Sequence, residues 1–239
     1  MNNRLTAILL IAAAVLTNAA FTVLGMVFNY PDVLGEPVDD ILAAFRASQT
    51  AVIGWFTVMA VSAALLVPIA IGVGRLSTRR AMRIAVPVGI GAAVVQVIGL
   101  ARWPLLVPGF AADAASSDPA TAAAARDSFL LAHRILGTVV GETLGYLLTA
   151  AWTLLVLIAL DRTIAPRWFT ALGAVSAVLI LAGVLDPLKL PVVGIANFIG
   201  YVMWSVWLVI FAILILRHSR SRAATTNSAL SGATRPVTS

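Results

Sequence analysis

Apolar residues run through this chain in long stretches, separated by short segments where charge and proline collect. The runs cover about Leu5–Phe28, Thr50–Val73, Ile84–Val107, Phe129–Leu160, Trp168–Leu185 and Ile195–Leu216. A helix needs about 20 apolar residues to cross a bilayer's hydrocarbon core. The pattern therefore predicts an all-α, polytopic bundle of six transmembrane spans, one domain over residues 1–217. Within the polar segment Asn29–Gln49, Val38, Ile41, Leu42 and Phe45 recur at helical spacing, which predicts a short interfacial helix after the first span. The Ala-rich stretch Ala111–Asp127 extends the fourth helix outward. From His218 the apolar periodicity is lost, and residues 218–239 read as a disordered tail.

Composition agrees with the pattern. Of 239 residues, 61% are hydrophobic and 11% charged, and the mean hydropathy is +1.00. Soluble domains carry about a quarter of their residues as charges, so too few polar groups are present here to solvate a surface. The net charge of +6 does not point to nucleic acid, because the arginines sit between and after the apolar runs. One set of connections carries Arg4, Arg75, Arg79, Arg80, Arg83, Arg162 and Arg167, and the tail adds Arg217, Arg220 and Arg222. The other side holds Arg46, Arg102, Arg126, Arg134 and Lys189 against most of the acids. The positive-inside rule then places both termini in the cytoplasm. The first run is longer than the roughly 7–15 apolar residues of a signal peptide, so it reads as a retained span, with cleavage near Asn18-Ala19-Ala20 as the alternative. The chain has no cysteine, which excludes disulfides, thiolate metal sites and cysteine nucleophiles.

Charges inside lipid need a partner or a cavity, which singles out a few residues. Glu142 lies about 20 Å along the fourth helix from Ser128 at ~1.5 Å per residue, near mid-membrane. Its options are a proton relay, an ion or cation ligand, or a protonated side chain bonded to a neighbouring helix. Tyr146 shares its face one turn on. Gly137, Gly141 and Gly145 form overlapping small-xxx-small steps that let another helix approach. His133 and Arg134 stand about 13 Å outward of Glu142. On an α-helix His133 and Glu142 are half a turn out of phase, so one ligand is not expected to touch both. Arg102 reaches comparable depth on the third span, with Gln96 deeper; Asp186, Asn197 and Tyr201 enter the same outer half. These residues make the candidate ligand site, with snorkelling to headgroups as the alternative for Arg102 and Arg134. Trp55, Trp103, Trp204 and Trp207 read as belt anchors or lipid-facing packing.

Other chemistries find no support in the residue pattern. His133 and His218 lie at opposite depths, which does not suit a bis-histidine haem, and one deep histidine is a poor zinc supply. The sequence has no Gly-x-Ser-x-Gly elbow, phosphate-binding glycine loop or His-Glu-x-x-His stretch. No cofactor or metal is expected.

Several segments are similar to those of a known family. They are Phe28-Asn29-Tyr30-Pro31-Asp32-Val33-Leu34 with Glu36-Pro37, then Gln96 through Arg102-Trp103-Pro104 with Pro108. They continue with His133, Leu136-Gly137, Gly141-Glu142-Thr143-Leu144-Gly145-Tyr146 and Trp152, and with Asn197, Gly200-Tyr201 and Trp204 to Trp207. Together, over about Leu5–Leu216, they resemble the bacterial membrane family known as domain of unknown function 4386, common in actinobacteria. The resemblance implies a multi-span protein of the bacterial plasma membrane and brings no assigned activity or catalytic residue.

The leading expectation is a non-enzymatic protein that binds a small ligand, lipid headgroup or ion in an outer-half polar cavity, as a sensor or accessory subunit. The alternatives are a small proton-coupled transporter using Glu142, and a membrane enzyme acting on a lipid or quinone through His133. The expected partners are membrane lipids and a small ligand or ion, with no nucleic acid.

Overall fold

A computed structural model describes residues 2–160, 162, 164–188 and 190–233, without side chains for Pro187, Pro191 and residues 220–233. All regular structure among these residues is helical. Six helical stretches are long and apolar enough to cross a membrane: Asn3–Phe28, Gln49–Gly74, Arg80–Asp113, Pro119–Ala159, Arg167–Asp186 and Val192–Ser219. Each covers one of the apolar runs, the fourth stopping one residue short of its run's end, and several extend past it where polar residues continue the helix beyond the hydrocarbon.

The breaks within the spans have covalent causes. The second span is α3 (Gln49–Ala64) followed by α4 (Leu66–Gly74), and Pro68 removes the N–H that would bond the Ala64 carbonyl. The third is α5 (Arg80–Leu105) followed by α6 (Val107–Asp113); Pro108 likewise leaves the carbonyl of Pro104 without its helical donor. The fourth begins as α7 (Pro119–Ala132), opened by the Asp118 carboxylate, which accepts from the amides of Ala120 and Thr121. The Thr121 hydroxyl, with those amides, holds the Asp118 carboxyl below its usual range. A π-helical segment, His133–Leu144, follows, and α8 (Gly145–Ala159) completes the span. The fifth and sixth spans are formed by α9 (Arg167–Ala182) and α10 (Pro191–Ala233). Helix α10 is continuous through most of the segment read as a disordered tail, while residues 234–239 lie outside the described residues.

The spans pack as a ring in chain order. Helix α1 (Asn3–Phe28) lies against α3, α3 against α5, α5 against α8, α8 against α9 and α9 against α10, and α10 closes on α1. Closure brings the two ends of the bundle together on one face, where the Asn3 amide donates to the Ser219 hydroxyl at 2.6 Å. The outer perimeter is apolar: Ile8, Met26, Leu105, Ile158, Val178 and Val192 are each more than 60% exposed. Such a surface suits lipid and would be a liability in water.

Two aromatic clusters fill the ring. Near the end that carries the termini, Trp152, Phe169, Trp207 and Phe211 pack with Leu10, Ile69 and Met82. At the opposite end Phe28, Phe45, Phe56, Trp103 and Phe129 pack with Leu24, Leu42 and Val52. Trp103 stacks on Phe56 at 4.8 Å, and Phe169 on Trp207 at 5.1 Å. The belt reading therefore fails for Trp103 and Trp207, which are wholly buried. Their neighbours are the rings of other helices, and aromatic stacking inside a bundle uses the same residue type as a belt does.

The amphipathic segment forms α2 (Val38–Ala47) as expected, with its apolar face turned into the protein. Ile41, Leu42 and Phe45 are buried in the second cluster, so α2 caps the end of the ring opposite the termini. Arg126 of α7 donates to Asp39 at 2.6 Å, and Arg46 donates to the Ala111 carbonyl at 2.9 Å, tying the cap to the adjoining ends of the third and fourth spans.

Candidate functional site

Between the two aromatic clusters lies a layer of polar side chains. On one side of the ring the Thr17 and Ser62 hydroxyls are 2.6 Å apart, and Ser62 also donates to the Ala13 carbonyl. On the other side the layer is built where α5 presses into the fourth span. The glycine stripe makes this possible, each glycine receiving a different part of α5. A Cβ on Gly137 would lie 2.8 Å from the Arg102 guanidinium carbon, one on Gly141 2.9 Å from the Gly99 Cα, and one on Gly145 3.1 Å from the Gln96 side chain. Gly99 and Gly141 meet backbone to backbone.

Arg102 is held in this contact with 5% of its surface exposed. Its Nη1 donates to the Gly99 carbonyl, and its Nη2 is 3.4 Å from His133 Nδ1. A guanidinium can only donate, so this pairing requires an unprotonated Nδ1 and puts the imidazole proton on Nε2. The His133 ring is stacked against Phe129 at 5.9 Å, and the guanidinium lies 5.4 Å from the Trp103 ring centre. Arg102 Nε is buried without a hydrogen-bond acceptor.

Glu142 belongs to the same neighbourhood. Its carboxyl acts electrostatically on Arg102, Tyr30, Tyr146 and Tyr201. The expected phase difference from His133 does not hold, because His133–Leu144 is π-helical. With i→i+5 bonding each turn holds more residues than in an α-helix, so His133 and Glu142 fall closer in phase, and both act on Arg102.

Tyr30 was not expected here. It follows Asn29, the left-handed cap of α1 (φ 51°), a conformation asparagine tolerates. The turn sets the Tyr30 ring edge-on to Phe21 and Phe56, at 5.7 and 5.2 Å. Burial pushes its phenol up to about 12, Glu142 adds to the rise and Arg102 opposes it. The usable signal was the asparagine at the end of an apolar run with a tyrosine directly behind it.

The layer continues towards α9 and α10. Tyr146 and Tyr201 have ring centres 5.9 Å apart, and Thr149 lies close to the Tyr201 hydroxyl. Gln96 donates to the Thr149 hydroxyl at 2.9 Å, and Trp204 donates to Thr153 at 2.9 Å. Asn197 donates to the Ile180 carbonyl at 2.8 Å and, with Tyr146, lies over Gly183, where a Cβ would displace both. Asp186 is exposed at the end of the bundle opposite the termini and still acts on Tyr146 electrostatically. The structure thus joins Arg102, His133 and Glu142 into one group and Tyr146, Asn197 and Tyr201 into a second beside it. Arg134 is exposed and stands apart from both. Thr149, wholly buried and accepting from Gln96, is the other contributor that reading by depth alone passed over.

Fold and polar layer together define a polytopic helical membrane protein with a buried arginine at mid-bundle, flanked by a half-buried histidine and glutamate. A family model described as a domain of unknown function, DUF4386, matches residues 5–212, and the chain belongs to that family. None of the curated proteins and none of the solved structures compared with the chain matches it.

Proposed function

We propose that this protein is a non-enzymatic ligand-binding protein of the bacterial plasma membrane, and that Arg102 and His133 receive the head of a small ligand. The observation that carries the reading is the buried guanidinium whose Nε has no acceptor. A charged donor left unsatisfied away from water costs about 1–3 kcal/mol or more, and an incoming oxygen relieves that cost. A carboxylate, a phosphate or a quinone carbonyl supplies such an oxygen, and an arginine prefers a bidentate anion. The Glu142 carboxyl and the Tyr30 phenol act electrostatically on the guanidinium, which favours a ligand that carries a hydrogen-bond donor as well as its acceptor. The distribution of arginines supports an orientation with both termini in the cytoplasm, which puts this group in the outer half.

The test is native mass spectrometry of protein extracted in its own lipids. Wild type is expected to keep a small non-covalent adduct that Arg102→Gln loses while remaining monodisperse and helical. Identical adduct patterns in the two proteins would rule the reading out.

A further inference from the structure

A second feature lies at the end of the bundle that carries the termini, far from Arg102. A groove of about 430 Å³ runs between α8 and α9, walled by Leu154, Leu157, Ile158 and Ala174. Its volume falls within the roughly 300–1,000 Å³ typical of small-molecule sites. Its walls open to lipid, since Ile158 is 65% exposed, and Trp168 at the start of α9 is 56% exposed. Its mouth is polar. Arg79, Arg162 and Thr170 line it, and Arg79 and Arg162 are exposed.

The surrounding charge is predominantly positive. Residues 75–83 and 160–167, which form this end of the third to fifth spans, hold six arginines against one acid, Asp161. An apolar cleft between two spans with basic side chains at the headgroup level matches one chemistry on both counts: an acyl chain below a phosphate. A soluble anion would leave the leucine and isoleucine walls uncovered. A neutral lipid would leave the net positive charge of this end unmatched.

We propose that this groove is a binding site for an anionic phospholipid of the leaflet on the terminus-bearing side, with its phosphate between Arg79 and Arg162 and one acyl chain along Leu154, Ile158 and Ala174. Basic pockets between spans recognise anionic headgroups in this way. The site is independent of the Arg102 group, and either can fail without the other.

Purified full-length protein in a mild detergent is titrated with phosphatidylglycerol and, separately, with phosphatidylcholine, and adducts are counted by native mass spectrometry. Wild type is expected to retain phosphatidylglycerol in clear preference. Each arginine near a phosphate contributes about fivefold, so R79Q/R162Q should weaken retention about 25-fold and leave phosphatidylcholine unchanged. Arg83→Gln, on the same basic end but outside the groove, should retain the lipid as wild type does. Ala174→Leu fills the groove with both arginines in place and should lower retention, which keeps the test decisive if the double variant does not fold. Equal retention of the two lipids by wild type overturns the proposal. So does undiminished retention in Ala174→Leu, or a loss in Arg83→Gln equal to that in the double variant, which would reduce the effect to general surface charge.

Discussion

At the scale of single residues, the question is what keeps a guanidinium inside an apolar bundle. Arg102 has one carbonyl, one imidazole nitrogen and an aromatic face around it, together with the field of Glu142. Removing one of two oppositely charged groups that act on each other inside a bundle leaves the other less compensated, whereas removing both costs less than the sum. Arg102→Met should therefore lower the melting temperature sharply, and R102M/E142Q should recover a good part of the loss. The check is a double-mutant cycle by differential scanning fluorimetry, and strictly additive losses would show that the two groups do not interact. The depths of these residues were legible in the sequence, because a helix rises evenly and Arg102, His133 and Glu142 could be counted from the ends of their apolar runs. Tyr30 was not legible in that way. It lies past the end of its span and reaches the layer through a left-handed turn, which hydropathy does not register.

At the scale of elements, the structure depends on one helix contact. Gly99 and Gly141 touch through their backbones, so a methyl group on either has no flexible side chain to displace. Overpacking of this kind costs about 1–3 kcal/mol. Gly99→Ala and Gly141→Ala should each be destabilised to that extent by thermal unfolding and should show weakened packing of α5 on the fourth span. Gly54→Ala is the control: nothing lies within 4 Å of its Cβ position, and alanine is the better helix former by up to about 1 kcal/mol, so it should be neutral or stabilising. The glycine stripe was readable from its spacing, and the structure gives each glycine its partner. The phase of the helix was not readable. Whether a segment bonds i→i+4 or i→i+5 depends on the packing around it, and that choice turned His133 towards the side of Glu142. Tryptophan burial was hidden for a related reason, because the same indole serves a lipid belt or an aromatic core and only the neighbouring helices decide which.

At the scale of the whole molecule, the closed ring turns a local charge bias into a sidedness. The contact between Asn3 and Ser219 places both ends of the bundle on one face, and the connection containing Thr78 opens on that face too, because each span reverses direction. The α6–α7 connection containing Ser116 lies on the other face, beside the α2 cap. Arginine is concentrated in the short connections on the first face, and positive loops are retained in the cytoplasm. The absence of cysteine from the chain makes this directly measurable, because any introduced thiol reports without background. Ser116 and Thr78 are both exposed, so each can carry the probe. In intact cells Ser116→Cys should react with a membrane-impermeant maleimide, and Thr78→Cys should react only after permeabilisation. The opposite pattern would put the termini outside. It would also move the lipid groove to the external leaflet and turn the Arg102 group towards the cytoplasm, so the proposed ligand would have to come from there. Labelling of both sites in intact cells would mean that the ring is not inserted as six complete spans. The sidedness of both proposed sites thus depends on two single-cysteine variants.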